Sequence, residues 1–215
     1  MKKMMSKIAM GLGLSIALIA CTKDEETIVV PVSAITVKDL TADTVTGLGL
    51  DGRPQSAGTT TYYSLVDNKI IASSDAASTK WDIAFSSTKI TVNCGTSGPG
   101  IGGAFVFKGL FDDLKTIPVD STFATDNSNA ASFAIPLGSG RAWYTYDGLT
   151  TLVSPIAGRV LVIRTATGKF AKIEIISYYK GGVTLPASAS VNDKLFKQRY
   201  YTFRYTYQSN GSKTF

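Results

Sequence analysis

The amino-acid sequence predicts an all-β fold with at most one or two short helices, preceded by an N-terminal signal and a flexible tether. The chain has 215 residues, 18% of them charged, and it is rich in Gly, Ser and Thr. Several segments alternate apolar and polar residues, which is typical of half-buried strands joined by turns. Because helix-period patterns are few and short, one β-rich domain over residues 34–215 is the simplest organisation.

The first 20 residues are predicted to be a bacterial lipoprotein signal peptide, which is excluded from the fold. Lys2, Lys3 and Lys7 precede an apolar run of 13 residues over 8–20, shorter than the roughly 20 residues of a membrane-spanning helix. The run ends Leu18-Ile19-Ala20-Cys21, which resembles a lipobox. Cys21 is therefore the predicted lipidation site; the alternative is a plain signal peptide followed by a chance cysteine.

Residues 21–33 are predicted to form the lipidated tether. Lys23 and the acidic run Asp24-Glu25-Glu26 follow Cys21 closely, an arrangement that resembles the surface-export signal of Bacteroidota lipoproteins. The alternative is a tether whose charges only keep it solvated. The predicted location is the outer membrane, reached through the lipid anchor, on the cell surface.

Two short aromatic segments predict strands in the middle of the chain. Residues 81–85 alternate so that Trp81, Ile83 and Phe85 are expected on one face. Residues 141–146 are aromatic and bounded by glycines, which also favours a strand.

A hairpin and a final strand are predicted in the C-terminal part. Residues 159–165 and 169–179 are β-rich and separated by Ala166-Thr167-Gly168, a loop that suits a β-hairpin. In the second run the apolar face is expected to hold Ala171, Ile173 and Ile175, with Lys172 and Glu174 opposite. Residues 200–208 alternate again, and the tyrosine-rich face of this strand is expected in the core.

Helices and loops take up little of the remaining sequence. Residues 111–115 predict one or two helical turns before Pro118, and residues 191–199 are a weaker helix candidate. Residues 95–103 and 122–132 are predicted to be loops, because turn-forming residues cluster there.

Composition and charge exclude several classes of site. The absence of His excludes a Ser-His-Asp triad and His-ligated metals, and two Cys are too few for a zinc ribbon or an iron–sulfur cluster. Without the three signal lysines, 19 basic and 16 acidic residues leave a net charge of +3. Residues 158–215 hold ten of those basic residues and only two acidic ones. Lysines and arginines on the outer faces of strands explain this better than an anionic partner, and no nucleic acid is expected.

Several segments resemble HmuY-like proteins. They are Trp81–Phe85 with Asn93–Gly100, then Trp143–Tyr146, the hairpin over Arg164–Lys180 and the strand over Tyr200–Gln208. The resemblance implies a Bacteroidota surface or secreted lipoprotein with an unusual all-β fold. The founding members are haemophores, which capture haem and pass it to an outer-membrane receptor. A TonB-dependent receptor is therefore the implied partner, and haem the implied ligand.

The usual iron ligands of that family are missing here. Relatives hold the iron between two His or two Met side chains, but this chain has no His, and its only methionines are Met1, Met4, Met5 and Met10, all in the predicted signal. Tyrosinate and thiolate also ligate haem iron, so Cys94, Tyr144 and Tyr146 are the candidates that remain. The alternative for all three is ordinary packing within or beside strands.

Two functional hypotheses stay open, and neither is enzymatic. The protein captures haem, another porphyrin or a different small ligand, or it is a non-catalytic accessory lipoprotein that binds no haem. Catalysis is not expected, because the chain lacks His, a metal cluster and a nucleophile motif. Residues 95–103 lack the Lys-Ser/Thr of a phosphate-binding loop, and Asp112 and Asp113 are adjacent, so their spacing makes no acid–base pair.

Overall fold

The computed structural model describes residues 32–128 and 132–215, and over these ranges the ordered elements are mainly β-strands. The strands are β1 (Ile35–Thr41), β2 (Val45–Leu48), β3 (Pro54–Ser56), β4 (Thr61–Ser64), β5 (Lys69–Ile71), β6 (Ile83–Ser86), β7 (Lys89–Val92), β8 (Gly103–Lys108), β9 (Tyr144–Asp147), β10 (Leu152–Pro155), β11 (Arg159–Arg164), β12 (Phe170–Tyr179) and β13 (Gln198–Gln208). A single α-helix, α1 (Val191–Phe196), and a 3₁₀ turn at Ser73–Asp75 complete the elements of these ranges. The predicted all-β fold class is confirmed.

The largest sheet has five antiparallel strands in the order β1-β13-β12-β11-β8. The predicted hairpin is its centre: β11 and β12 pair so that Leu161 lies opposite Ile173. The turn between them closes through Thr165, whose N–H donates to the Lys169 carbonyl oxygen at 2.8 Å. Gly168 has φ of +85° in that turn, a conformation that favours glycine.

A second sheet of four strands, ordered β5-β4-β6-β7, packs its inner face against the first. Phe85 of β6 stacks on Phe203 of β13 with ring centroids 5.6 Å apart, and Tyr63 of β4 meets Phe203 edge-on at 5.7 Å. The predicted aromatic face of β13 is thus confirmed as core. The hairpins β2–β3 and β9–β10 stand outside these sheets as two-stranded units.

Trp81 departs from the prediction. Strand β6 begins only at Ile83, and Trp81 packs with Ala84 and Ile71 instead of sharing the face of Ile83 and Phe85. Asp82, which lies between Trp81 and Ile83, accepts the distant backbone N–H groups of Leu65 and Ala166 on its carboxylate. Its own N–H donates to the Tyr63 carbonyl oxygen and its carbonyl oxygen accepts the Asn93 N–H, so backbone pairing continues through Asp82 while Trp81 packs in a separate apolar cluster.

The segment predicted to make one or two helical turns at residues 111–115 forms one hydrogen-bonded turn, in which the Asp113 and Leu114 N–H groups donate to the Leu110 carbonyl oxygen, and it does not extend into a regular helix. It covers the outer face of the five-stranded sheet and packs Phe111 and Leu114 against Val160 and Val162. The side chain of Lys172 reaches into this second core.

The expectation that C-terminal basic residues line exposed strand faces therefore fails at Lys172, which is 5% exposed. Its ammonium donates to two carbonyl oxygens of the 111–114 turn, at 2.8 Å each. Glu174, on the same face of β12, instead accepts a 2.7 Å bond from Arg204.

Two further boundaries differ from the sequence prediction. The strand predicted over residues 141–146 begins at Tyr144, since residues 141–143 form a turn. The helix predicted over residues 191–199 ends at Phe196, because β13 starts at Gln198. Its first turn is capped by Ser190, whose hydroxyl accepts the Asp193 N–H at 3.1 Å.

No helix within the described ranges is long and apolar enough to cross a membrane.

Candidate ligand-binding cavity

A cavity of about 500 Å³ lies where the two small hairpins meet the helix. Its walls come from the β2–β3 hairpin, the turn of the β9–β10 hairpin, and α1 with the residue that opens β13. The lining residues are Leu48, Gly52, Pro54, Tyr146, Leu149, Thr150, Thr151, Val191, Lys194, Leu195 and Gln198. We call this space the hairpin cavity. Its size lies in the range of small-molecule sites, roughly 300–1,000 Å³.

The turn of the β9–β10 hairpin is held by one carboxylate. Asp147 accepts the Leu149 N–H at 2.9 Å and the Thr150 hydroxyl at 2.6 Å. These hydrogen bonds, first the one from Thr150, lower the pKa of the Asp147 carboxyl. The bonds fix the turn, and Leu149 at its tip remains exposed to solvent.

The walls of the hairpin cavity are strongly apolar for a solvent-accessible surface. Leu149 is 97% exposed, Val191 76% and Tyr146 51%, while the buried Leu195 forms part of the lining beneath them. Exposed apolar side chains that cluster around one concavity mark a binding surface more often than chance exposure does. The arrangement suits a ligand with a large apolar face.

Among the described residues, Lys194 is the only charged one that lines the hairpin cavity. Its ammonium has three N–H groups, and one of them donates a hydrogen bond to the Ala187 carbonyl oxygen at 2.8 Å. The positive charge remains and can pair with an anionic group of a ligand. A carboxylate on an otherwise apolar molecule matches this combination.

Of the residues nominated from the sequence, the structure brings only Tyr146 to the hairpin cavity. Tyr144 is partly buried against the main core, with its ring 4.7 Å from that of Trp143. Cys94 follows β7 in the same core, and its Sγ accepts the Asp126 N–H at 3.3 Å. Burial raises the pKa of the Cys94 thiol, which opposes thiolate formation.

Sequence reasoning missed most of the hairpin cavity. Leu48, Leu149 and Val191 belong to segments far apart in the chain, so no local spacing joins them. One signal in the sequence could have pointed to the hairpin cavity: Leu149, an apolar residue, follows Gly148 in an otherwise polar turn. The predicted lipidation site Cys21 lies outside the described residues. Within the described ranges, no group of three or more His, Cys, Asp or Glu side chains is arranged to hold a metal ion.

The axial ligand pair of the haemophores does not fit this cavity. The described residues of its lining include no His, Met or Cys, and Tyr146 is the one among them of a type that ligates haem iron. The apolar walls and Lys194 fit a hydrophobic ring with acidic substituents. The residues thus suit the organic part of such a cofactor and not a six-coordinate iron.

Comparison with known proteins confirms the family resemblance. A family model described as HmuY protein matches residues 56–157, which include the Trp81, Asn93 and Trp143 segments but not the 164–180 and 200–208 segments. No curated protein matches the chain.

Three solved structures from related bacteria also resemble the chain, and two of them are described as HmuY-like. One, described as a lipoprotein from Bacteroides fragilis, is 17% identical, with coverage of 80% of this chain and 86% of the other and a TM-score of 0.46. Another, described as an HmuY-like haem-binding protein from Bacteroides vulgatus, is 12% identical, with coverage of 80% and 90% and a TM-score of 0.44. An apo HmuY analogue from Tannerella forsythia is 13% identical, with coverage of 83% and 96% and a TM-score of 0.37.

Proposed function

We propose that this HmuY-like protein is a non-catalytic lipoprotein, anchored in the outer membrane through Cys21 and exposed on the cell surface, that captures a porphyrin-type ligand in the hairpin cavity. The ligand has a broad apolar face and at least one carboxylate. The observation that carries the proposal is an apolar cavity of about 500 Å³ with Lys194 as its only charged lining residue. An outer-membrane receptor, of the TonB-dependent class implied by the family, is the proposed recipient.

Binding in this proposal comes from the ring and not from the metal. Burying the apolar faces of Leu149 and Val191 against a ligand removes hydrocarbon from water, which favours association. Lys194 then orients the ligand by pairing with its carboxylate. Iron adds little, because the cavity offers no pair of axial side chains.

The test compares hemin with iron-free protoporphyrin on the mature chain carrying Cys21→Ser, which accepts no lipid. Both rings are expected to bind with affinities within about threefold of each other. Leu149→Asp should weaken both by about tenfold or more, since a carboxylate then lies in the apolar wall. Val66→Asp makes the same change on an exposed residue outside the hairpin cavity and should leave binding unchanged.

A second pair of variants tests the role of charge. Lys194→Gln should weaken protoporphyrin binding, whereas Lys197→Gln, at the residue that follows the same helix and pairs with Asp193 at 2.9 Å, should not. Stoichiometric binding of hemin without binding of the iron-free ring would overturn the proposal, because it would require coordination of the metal.

Exposed apolar side chains around the hairpin cavity favour one alternative, an accessory lipoprotein that docks a neighbouring outer-membrane protein. Leu48, Leu149 and Val191 would then form part of a protein interface. If neither ring binds and Leu149→Asp abolishes co-purification of an outer-membrane protein from the native cell, this alternative replaces ligand capture.

A further inference from the structure

A second cavity, of about 300 Å³, lies on the outer face of the four-stranded sheet. It shares no lining residue with the hairpin cavity. Three strands build its base: Tyr62 of β4 pairs with Ala84 of β6, and Ala84 pairs with Thr91 of β7. Directly paired residues point to the same face of a sheet. The small Ala84 between two larger side chains therefore leaves a depression, which we call the Tyr62 cavity.

The Tyr62 ring is a fixed platform at one side of this depression. It meets Trp81 edge-on with ring centroids 4.9 Å apart, and the Trp81 indole N–H donates to the Ala76 carbonyl oxygen at 2.9 Å. Such a ring loses little conformational freedom when a ligand stacks on it. Phe133, whose ring lies 6.0 Å from the Lys89 ammonium, contributes a second aromatic surface.

The depression continues on both sides of Tyr62. A neighbouring cavity of about 440 Å³ is lined by Tyr62 and the loop over residues 95–99. Another, of about 470 Å³, is lined by Tyr62, residues 59–61 and the end of β5. Because one ring borders all three spaces, the sheet face offers a groove longer than a single small ring.

The side chain of Thr91 lines the Tyr62 cavity. The residue as a whole is only 7% exposed, and its pairing with Ala84 places its hydroxyl-bearing side chain on the same face of the sheet as Tyr62. Other hydroxyls line the same space, among them those of Thr60, Ser86 and Thr96.

The charge of this lining limits what it can recognise. Its described residues include no acidic side chain, and Lys89 is the one cation among them. Many hydroxyls and few charges favour a neutral ligand that both donates and accepts hydrogen bonds. The two aromatic rings add surfaces for C–H groups. Carbohydrate combines both properties in one molecule.

We propose that the Tyr62 cavity binds a neutral oligosaccharide, with Tyr62 as the stacking platform and Thr91 as a hydrogen-bonding group at its base. The adjoining depressions accommodate the neighbouring sugar units of the chain. The site is separate from ligand capture in the hairpin cavity, so the protein carries two independent binding surfaces.

The test is calorimetric titration of the mature chain carrying Cys21→Ser with four neutral hexasaccharides: maltohexaose, cellohexaose, mannohexaose and chitohexaose. At least one is expected to bind. Tyr62→Leu and Thr91→Val should each weaken that binding by about tenfold or more while the melting temperature stays within a few degrees. Tyr146→Leu, the same change in the hairpin cavity, should leave sugar binding unchanged, and saturating protoporphyrin should not compete with it.

Three results would overturn this proposal. One is failure of all four hexasaccharides to bind a folded protein. Another is binding that Tyr62→Leu and Thr91→Val leave intact. The third is a preference for a sulfated heparin hexasaccharide over every neutral one, because recognition would then depend on charge at Lys89.

Discussion

The ammonium of Lys172 lies 4.5 Å from the centre of the Phe111 ring and donates a 2.8 Å hydrogen bond to the carbonyl oxygen of the same residue. Burial, the largest cause, lowers the pKa of this lysine. The pair fastens the 111–114 turn to the outer face of the central sheet, and the C-terminal Phe215 packs on the other side of the ammonium at 5.2 Å.

Lys172→Ala is therefore expected to destabilise the protein by about 2–4 kcal/mol. The substitution removes the buried stem and leaves the carbonyl oxygens of Phe111 and Leu114 without their donor. Lys213→Ala, on an exposed residue, should change the free energy of unfolding by no more than about 0.5 kcal/mol. Urea unfolding monitored by tryptophan fluorescence measures both, and equal effects would show that the Lys172 contacts contribute nothing.

Alkaline pH is expected to unfold the protein through its buried tyrosines. Burial raises the pKa of Tyr178 to about 12 and that of Tyr63 to about 12. Above pH 10 the unfolded chain releases these protons and the folded chain keeps them, so stability falls between pH 10 and 12 by about 1.4 kcal/mol per pH unit for each group.

Tyr178→Phe should make that decline shallower, because one of the groups no longer titrates. Melting temperatures at intervals from pH 8 to 11 measure the slope. Tyr146→Phe, on an exposed ring, is the control and should follow the wild type. A slope unchanged by Tyr178→Phe would contradict the assignment.

Cys94 is expected to resist thiol reagents in the folded protein. It is buried, and burial raises its pKa, so little thiolate is present at neutral pH. In the chain carrying Cys21→Ser, Ellman's reagent should react with one thiol at once in 6 M guanidinium and at least about a hundredfold more slowly in buffer. Rapid reaction in buffer would show that Cys94 is accessible and would restore it as an iron ligand candidate.

Hemin is expected to bind without a six-coordinate, low-spin spectrum. Without the predicted signal, the chain has neither His nor Met to supply two axial ligands. Among the described residues, Tyr146 is the one side chain of an iron-ligating type that lines the hairpin cavity. Coordination by one tyrosinate would give a high-spin spectrum that Tyr146→Phe abolishes and Tyr144→Phe preserves. A sharp low-spin spectrum that survives both substitutions would contradict this prediction.

Cys21 is expected to carry the lipid. Labelled palmitate should enter the wild-type protein in its native cell and fail to enter Cys21→Ser, because acylation requires the sulfur of that residue. Cys94→Ser is the matched control and should be labelled normally. Equal labelling of wild type and Cys21→Ser would remove the anchor from the proposed function.

The strands that could be predicted from the sequence are those whose pattern is local. The alternation around Ile173 and along residues 200–208 repeats every two residues, so the buried face follows from the chain itself. The same holds for the hairpin turn at Gly168, where loop length and glycine select the geometry. The family resemblance also rests on such contiguous segments.

Only the tertiary structure determined which distant segments of the chain contact one another. Asp82 joins the distant segments at Leu65 and Ala166 by accepting one backbone N–H group from each, and Lys172 is buried because the 111–114 turn folds over it. The hairpin cavity likewise joins residues near 50, 150 and 194. Pairing between such positions depends on the packing of whole sheets, and a period-two pattern carries no information about which elements meet.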